Sequence, residues 1–350
     1  MARKMAAIDI RSRKKDHVDS ARKKDVEYEI GAGFSDVRFV HNSLPELDLG
    51  EIDPTCRMFK KRLSSPLLIV AITGGYSEAE KINLTLAKAA EEEQVAFGLG
   101  SQRAMIEKPG LASTYKVRKV APSIPIIGNI GGCQLEKYGV EKVREALEAV
   151  EADALAVHLN PLQEICQPEG DNRFSGIAQQ LGVFARDLGL PVIVKETGAG
   201  ISRECGLELS RAGIKMVDVA GAGGTSWSKE EYIRSGKEPV LSDWGNPTCE
   251  CIATCSDVIE VIGSGGVRSG LDAAKAIALG ASYAGAALPF IRARNPQAEI
   301  ARWKEELRLI MLLCGADDLA SLKSAKLVVT GRTAEAMGRL GIDPGKYAKR

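Results

Sequence analysis

The chain has 350 residues, enough for one large α/β domain or two smaller ones, and its 45% hydrophobic content is ample for a core. Its 47 basic and 46 acidic residues leave a formal net charge of +1, which does not favour binding to nucleic acid or to anionic membranes. No apolar run approaches the roughly 20 residues of a spanning helix, and the basic N-terminus lacks the apolar block of a secretory signal, so we expect a cytoplasmic protein that binds neither nucleic acid nor membrane.

From residue 66 onward, short apolar runs that end in glycine or polar residues alternate with stretches of helical character. The eight runs are 67–75, 95–103, 124–132, 154–161, 191–198, 216–224, 258–266 and 282–289. Helical patterns between them predict helices over 77–93, 140–151 and 270–280. Because eight apolar strands separated by helices match a closed parallel barrel, we predict an α/β fold of the (β/α)8 TIM-barrel type. A doubly wound sheet is less favoured, because no G-x-G-x-x-G segment opens a helix after the first strand.

Two regions flank the predicted barrel. Residues 1–65 are expected to form an N-terminal arm and extension over the barrel mouth, and residues 66–350 to form the barrel with its C-terminal helices. Two or three amphipathic helices are predicted within 296–345. The long connection 225–257, which carries two tryptophans, predicts a partly helical lid or insertion.

The eight cysteines are scattered, as in a reduced cytosolic protein, except for Cys249, Cys251 and Cys255. Their spacing lacks the C-x2-C pair common in zinc sites, and no histidine lies nearby as a further ligand. We therefore predict buried thiols on a helix in preference to a metal site.

Polar side chains collect where the predicted strands end, which is where (β/α)8 barrels place their functional groups. These residues are Thr73; Ser101, Gln102 and Arg103; Asn129; His158, Asn160, Gln163 and Glu164; Lys195 and Glu196; and Thr225 and Ser226. The densest cluster is the segment HLNPLQE, residues 158–164. Its Glu164 suits either a Mg²⁺ ligand or a general base, and Gln163 suits an orienting hydrogen-bond partner.

Two glycine-rich segments near the end of the barrel predict an anion site. GSGGVRSG (263–270) and AGAALP (284–289) place backbone N–H groups at the start of helices, where barrels often bind phosphate. Lys195 delivers an ammonium to the same mouth. It can form a Schiff base, neutralise an anion or favour a flavin that gains negative charge on reduction; the alternative is a salt bridge with Glu196 or Glu164.

The segment 11–24, RSRKKDHVDSARKK, has seven basic residues. Such a run is usually a solvated face or a flexible arm. In an enzyme with an anionic substrate it could instead fold over the mouth, so that Arg13 and Lys14 meet a diphosphate.

Eight motifs occur in an order that matches a known family. They are RKKDH (13–17), ITGG (72–75), GLGSQR (98–103), GNIG (128–131), HLNPLQE (158–164), VKETGAGIS (194–202), AGAGGTSW (220–227) and GSGGVRSG (263–270). Over nearly its whole length the chain resembles the type 2, FMN-dependent isopentenyl-diphosphate delta-isomerases. The R-K-x-x-H arm combined with H-x-N-x-x-Q-E is more specific than any single glycine loop.

The resemblance implies an FMN-containing barrel that interconverts isopentenyl and dimethylallyl diphosphates. Reduced FMN and Mg²⁺ are expected as cofactors, NADPH as the reductant, and a homo-oligomer (tetramer or octamer) as the assembly. Reduced FMN is expected to be the acid and base of the reaction, with Gln163, His158 and Asn160 as the catalytic side chains that position substrate and metal.

The remaining roles are also carried over by resemblance. Glu164 is the expected Mg²⁺ ligand. The expected substrate-binding residues are Arg13, Lys14, His17, Ser101, Gln102, Arg103 and Gln163. The expected FMN-binding residues are Ala71, Ile72, Thr73, Ser101, Asn129, Lys195, Thr225, Gly266, Val267, Arg268, Ala287 and Leu288. Val70 and Ala220 stand where some members carry a hydroxyl, a difference of roughly 0.5–1.5 kcal/mol in FMN binding at most.

Other functions compete with this one. An FMN-dependent oxidoreductase of the α-hydroxy-acid oxidase type needs a His–Arg pair, yet His17, His41 and His158 all lie in the first half of the chain. Chemistry like that of IMP dehydrogenase needs a loop cysteine nucleophile, and the segment around Cys249 does not resemble that loop. A non-catalytic phosphate-binding barrel would need neither Glu164 nor a flavin, and the colour of the purified protein separates it from a flavoprotein.

Overall fold

A computed structural model of the chain describes residues 26–350, and twelve strands lie within them. The strands are β1 (Val37–Phe39), β2 (Cys56–Met58), β3 (Lys61–Leu63), β4 (Leu67–Ile69), β5 (Ala96–Gly98), β6 (Ile126–Gly131), β7 (Ala154–His158), β8 (Val192–Lys195), β9 (Met216–Asp218), β10 (Glu260–Ser264), β11 (Tyr283–Ala286) and β12 (Leu327–Val329). Strands β4 to β11 pair in chain order, all parallel, and close into a barrel. The predicted (β/α)8 barrel and its eight strands are confirmed.

Helices surround the barrel. They are α1 (Ser77–Glu92), α2 (Arg103–Glu107), α3 (Leu135–Glu148), α4 (Pro161–Cys166), α5 (Ile177–Asp187), α6 (Arg203–Arg211), α7 (Trp227–Ser235), α8 (Thr248–Cys255), α9 (Gly270–Leu279), α10 (Leu288–Arg292), α11 (Pro296–Cys314), α12 (Leu319–Lys323) and α13 (Gly331–Arg339). The three predicted barrel helices correspond to α1, α3 and α9. Helix α3 is interrupted at Gly139, whose φ of 66° is left-handed, and the predicted helix begins just after that point. None of the described helices is long and apolar enough to cross a membrane.

Alternation along the strands decides which side chains enter the barrel. In β7, Leu155 and Val157 pack into the core under the helices, whereas Ala154 and Ala156 pack inside the barrel. His158 ends β7 with the inward parity. The same parity turns the last inward residues of neighbouring strands toward one point, where they form the floor of the barrel mouth: Asn129, His158, Lys195, Asp218 and Ser264.

The opposite end of the barrel is closed by the hairpin β2–β3. Met58 and Leu63 are fully buried against the interior residues at the strand starts. The hairpin is tied down by the Lys61 ammonium, which lies 2.7 Å from the Asp153 carboxylate, and by the Tyr283 hydroxyl, which donates to the Arg57 carbonyl at 2.6 Å. The described part of the N-terminal extension is therefore not confined to the mouth.

The C-terminal segment packs on the outside of the barrel. It contains three helices, α11, α12 and α13, as predicted. Trp303 and Met311 of α11 are fully buried in the shared core. The segment also contains a strand that the sequence did not predict, because β12 pairs antiparallel with β1, near the other end of the chain.

The connection after β9 is partly helical, as predicted, and contains α7 and α8. Cys249, Cys251 and Cys255 are buried on α8, which confirms the prediction of thiols buried on a helix. Burial raises the pKa of the Cys255 thiol to about 12, so this thiol stays protonated and unreactive at neutral pH.

Candidate active site

A cavity of about 450 Å³ opens at the C-terminal ends of the barrel strands. Its volume is within the range of small-molecule and cofactor sites. Seventeen of the residues singled out above line it: Ala71, Ile72, Thr73, Ser101, Arg103, Asn129, His158, Asn160, Gln163, Glu164, Lys195, Thr225, Gly266, Val267, Arg268, Ala287 and Leu288. Val70 and Ala220 line it too. Arg13, Lys14 and His17 lie outside the described residues.

Gln102 is the predicted site residue that points elsewhere. Its side-chain amide donates to the Ala146 carbonyl at 3.0 Å and accepts from the Asn129 N–H at 3.0 Å. The residue is buried and does not line the cavity. The side chain is therefore engaged beneath α3 and positions the backbone of Asn129, and the predicted substrate contact of Gln102 stays a prediction.

The floor of the cavity is polar. The Asn129 side-chain oxygen lies 2.7 Å from His158 Nδ1, so the two side chains orient each other. The Lys195 ammonium lines the cavity and donates to the Glu196 carbonyl oxygen at 2.5 Å. A direct ion pair of Lys195 with Glu196 or Glu164 does not occur in the described part of the chain, so the ammonium is available to a ligand.

Glu196 stabilises the loop that follows β8. One of its carboxylate oxygens accepts the N–H groups of the next three residues, at 2.5 to 2.6 Å. Burial raises the pKa of Glu196, although these hydrogen bonds and the nearby Lys195 lower it. The carboxylate therefore shapes the loop after β8 and does not face a ligand.

The segment 158–164 fixes a carboxylate at the edge of the cavity. Asn160 donates to Glu164 Oε1 at 3.0 Å and to Gln163 Oε1 at 3.2 Å, and the Asp171 N–H donates to Glu164 Oε2 at 2.8 Å. Within residues 26–350, no three His, Cys, Asp or Glu side chains cluster as metal ligands. Glu164 thus offers a single protein carboxylate, an arrangement that suits Mg²⁺ shared with substrate phosphates.

The glycine loops that follow β9 and β10, within 220–227 and 263–270, fit against each other with little spare room. Gly265 and Gly266 have φ angles of 97° and 69°, and a Cβ on Gly265 would lie 2.1 Å from the Gly221 carbonyl oxygen. Larger residues are therefore excluded. The backbone N–H groups of Gly266 and Val267 donate to no other described residue, so they are available to an anion at the cavity wall.

Comparison with known proteins agrees with this geometry. Residues 179–329 match the FMN-dependent dehydrogenase family model. The chain is 44% identical to an isopentenyl-diphosphate delta-isomerase of Methanothermobacter thermautotrophicus, over 97% of this chain and 99% of the relative. It is also 44% identical to an isopentenyl-diphosphate delta-isomerase of Pyrococcus horikoshii, over 92% of this chain and 93% of that protein. The chain belongs to the isopentenyl-diphosphate delta-isomerase family.

Solved structures with distant sequences support only the barrel fold of this chain. A flavocytochrome b2 has a TM-score of 0.66 at 19% identity and covers 91% of this chain and 84% of its own. A mandelate oxidase has a TM-score of 0.62 at 16% identity, with coverage of 90% and 92%.

Thr73 provides a direct check on whether the cavity of this isomerase-family chain fits FMN. Its hydroxyl is buried and has no hydrogen-bond partner among the described residues. A buried hydroxyl without a partner is unfavourable, and because Thr73 lines the cavity, a polar ligand bound there would satisfy it. Together with the Lys195 ammonium and the free N–H groups of Gly266 and Val267, it supplies the donors that a flavin and its phosphate need.

The structure adds Glu231, which the sequence analysis missed. This residue of α7 is fully buried, and its carboxylate accepts from Gln163 Nε2 at 3.4 Å and from Arg234 Nε at 2.7 Å. Arg234 also contacts Glu169 at 2.8 Å. The network joins the segment 158–164 to the connection after β9. A glutamate in a charged helix gives no sequence signal of this role, since only the packing of α7 against α4 reveals it.

Proposed function

We propose that the protein interconverts isopentenyl diphosphate and dimethylallyl diphosphate, with FMN at the barrel mouth, Mg²⁺ at Glu164 and NADPH as the reductant. The observation that carries the proposal is the convergence in one cavity of an oriented carboxylate, Glu164, with the Lys195 ammonium and a glycine-lined anion wall. Family membership supports the same activity.

The reaction moves a double bond by one carbon, which requires one proton to be added and another removed. An unactivated alkene is a very weak base, so its protonation creates a cationic centre. Reduced FMN, when bound, would supply the acid and base together with an electron-rich surface for that centre. Gln163, held by Glu231 and Asn160, would orient the substrate, and His158, held by Asn129, would fix the adjacent wall.

The diphosphate requires cations at the mouth. Ser101 and Arg103 line the cavity, and the Arg103 guanidinium also contacts Glu107 at 3.3 Å. Arg13, Lys14 and His17, outside the described residues, are proposed to complete this site. Deleting residues 1–17 should raise KM for the diphosphate by about tenfold or more with an unchanged FMN Kd. An unchanged KM would exclude a capping arm.

The decisive experiment is an isomerisation assay with isopentenyl diphosphate, FMN and Mg²⁺. Enzyme photoreduced without NADPH should turn over many times, because the overall reaction consumes no electrons. Consumption of one NADPH for each product would instead indicate a dehydrogenase. A purified protein that stays colourless and cannot be reconstituted with FMN would favour a non-catalytic binder.

We also infer a cytoplasmic homo-oligomer, either a tetramer or an octamer. Leu309 and Leu313 on α11 expose 42% and 48% of their surface, and Leu44 in the loop after β1 exposes 72%, apolar surface that contacts between subunits would cover. Sedimentation of the purified protein tests this, and a monomer at micromolar concentration would contradict it.

A further inference from the structure

Asp218 is a buried carboxylate that the proposed reaction does not use. It ends β9 with the inward parity, in register with Lys195 on β8 and Ile262 on β10. Only 3% of its surface is exposed. The small cavity that Asp218 lines is otherwise mostly apolar, so an aspartate here is unfavourable unless its charge is compensated.

The compensation comes from two hydrogen bonds and one charge. The Ser264 hydroxyl donates to Asp218 Oδ1 at 2.5 Å, and the Ala220 N–H approaches the same oxygen at 3.3 Å. Burial raises the pKa of Asp218 above its usual value, although the Lys195 charge and both hydrogen bonds oppose that rise. The geometry supports the ionised carboxylate, because the Ser264 hydroxyl and the Ala220 N–H both donate to Oδ1 and the Lys195 cation lies in register on the adjacent strand.

Lys195 and Asp218 are in register on adjacent strands, but only the Lys195 side chain reaches the main cavity. Lys195 lines the main cavity, and both residues line a second cavity of about 20 Å³ beneath it. No direct ion pair joins them in the described part of the chain, so the carboxylate acts on the ammonium through space. A ligand above the floor therefore experiences the cation first and the anion behind it.

We propose that Asp218 is the counter-charge of Lys195 and that it lowers the reduction potential of FMN bound in the main cavity. This inference rests on the proposed function, which places FMN above Lys195. Reduction adds negative charge to a flavin, and the Lys195 ammonium stabilises that charge. The Asp218 carboxylate, in a region of low dielectric, partly cancels this stabilisation. Asp218 is thus a positioning residue that tunes the cofactor without touching it.

The test is a measurement of the midpoint potential of FMN in the wild-type holoenzyme and in Asp218→Asn. The variant keeps the shape of the side chain and removes its charge. We expect the equilibrium between oxidised and reduced FMN to move at least tenfold toward the reduced form. This corresponds to a rise of about 30 mV in the midpoint potential of a two-electron couple. A smaller rise, no change or a fall would overturn the proposal, since a neutral Asp218 or a purely structural one leaves the potential where it is.

Asp153→Asn is the matched control. It makes the same chemical change to a carboxylate that also faces a lysine, but at the opposite end of the barrel. Its potential should equal that of the wild type. A shift as large as that of Asp218→Asn would show that the effect is not local, and the proposal would fail.

Should Asp218→Asn not fold, Ser264→Ala carries the test. Loss of the hydroxyl donor makes the ionised form of Asp218 less stable. The equilibrium between oxidised and reduced FMN should therefore move about threefold toward the reduced form. An unmoved potential in this variant would refute the role of Asp218. Failure of the proposed function is distinguishable, because a wild-type protein without bound FMN, or without isomerase activity, would show it before any variant is made.

Discussion

The two ends of the barrel use polar side chains in opposite ways. At the closed end, Asp153 accepts hydrogen bonds from Lys61, Arg118 and the Ile126 N–H, each at 2.8 Å. At the mouth, the Thr73 hydroxyl has no partner among the described residues, and Lys195 presents its ammonium to the cavity. Asp153 and its partners at the strand starts therefore satisfy one another and stabilise the fold, whereas Thr73 and Lys195 at the strand ends are left ready for a ligand.

Glu164→Gln should have the largest effect, and it should act on activity alone. The amide keeps the shape of the side chain but loses the negative charge that we propose binds Mg²⁺. We therefore expect the isomerase rate to fall at least 100-fold, about 2.7 kcal/mol. FMN content should be unchanged. Steady-state kinetics over a Mg²⁺ titration provide the measurement. Glu169→Gln, five residues further along, is the control; full activity with normal Mg²⁺ dependence in Glu164→Gln would remove the metal assignment.

Asp153→Asn should show the reverse pattern, with lower stability and unaltered catalysis. Loss of a charge that accepts three hydrogen bonds should reduce the free energy of unfolding by about 2 kcal/mol. Urea denaturation measures this, and Asp187→Asn, which removes an exposed pair with Arg186, should change it by about 0.5 kcal/mol or less. An activity loss in Asp153→Asn at full stability would contradict the contrast between the two ends.

The pH dependence of the same variant sharpens the comparison. Burial would raise the pKa of Asp153, but the hydrogen bonds from Lys61, Ile126 and Arg118 outweigh it, and the pKa lies below its usual value. A depressed folded pKa gives stability that is present above the unfolded value of about 3.9 and is lost as the pH falls through the folded value. The wild type should thus have a larger free energy of unfolding than Asp153→Asn at neutral pH, and this difference should disappear only in strong acid.

The contrast between the ends also shows what the sequence predicts. The eight strands were predictable because each buried strand is a near-continuous apolar run, and the mouth residues because they directly follow those runs. The hairpin β2–β3 and the strand β12 were not, since their short strands gain their burial or pairing from distant parts of the chain.

Side-chain direction limited the prediction of the site. Gln102 lies beside Ser101 and Arg103 in the sequence, but its side chain turns under α3. Asp218 lies within an apolar run, and its proximity to Lys195 follows only from the pairing of β8 with β9. Such contacts depend on the closure of the barrel, which no local pattern contains.

Glu231→Gln should have an intermediate effect at the mouth. We expect kcat to fall about tenfold, or 1.4 kcal/mol, because the hydrogen bond that orients Gln163 is weakened. KM and FMN content should change little. Stopped-flow or steady-state assays measure the rate, with Glu169→Gln as the control because it also loses a contact with Arg234 but leaves Gln163 untouched. An unchanged kcat in the folded variant would show that Glu231 serves stability alone.

Thr73→Val should have the smallest effect, which should weaken FMN binding without lowering the stability of the protein. The variant removes a hydroxyl that finds its partner only in a ligand, so the FMN Kd should rise about fivefold, close to 1 kcal/mol. The protein without FMN should be no less stable, since no hydrogen bond to another described residue is lost.

Thr333→Val provides the matched comparison for Thr73→Val. The Thr333 hydroxyl donates to Asp36 at 2.9 Å, in a buried position outside the cavity. Its loss should lower the free energy of unfolding by about 1 kcal/mol and leave FMN affinity unchanged. Fluorescence titration with FMN and thermal unfolding of the protein without FMN separate the two variants. Equal losses of stability in both would mean that the Thr73 hydroxyl is satisfied within the fold and is not held ready for the cofactor.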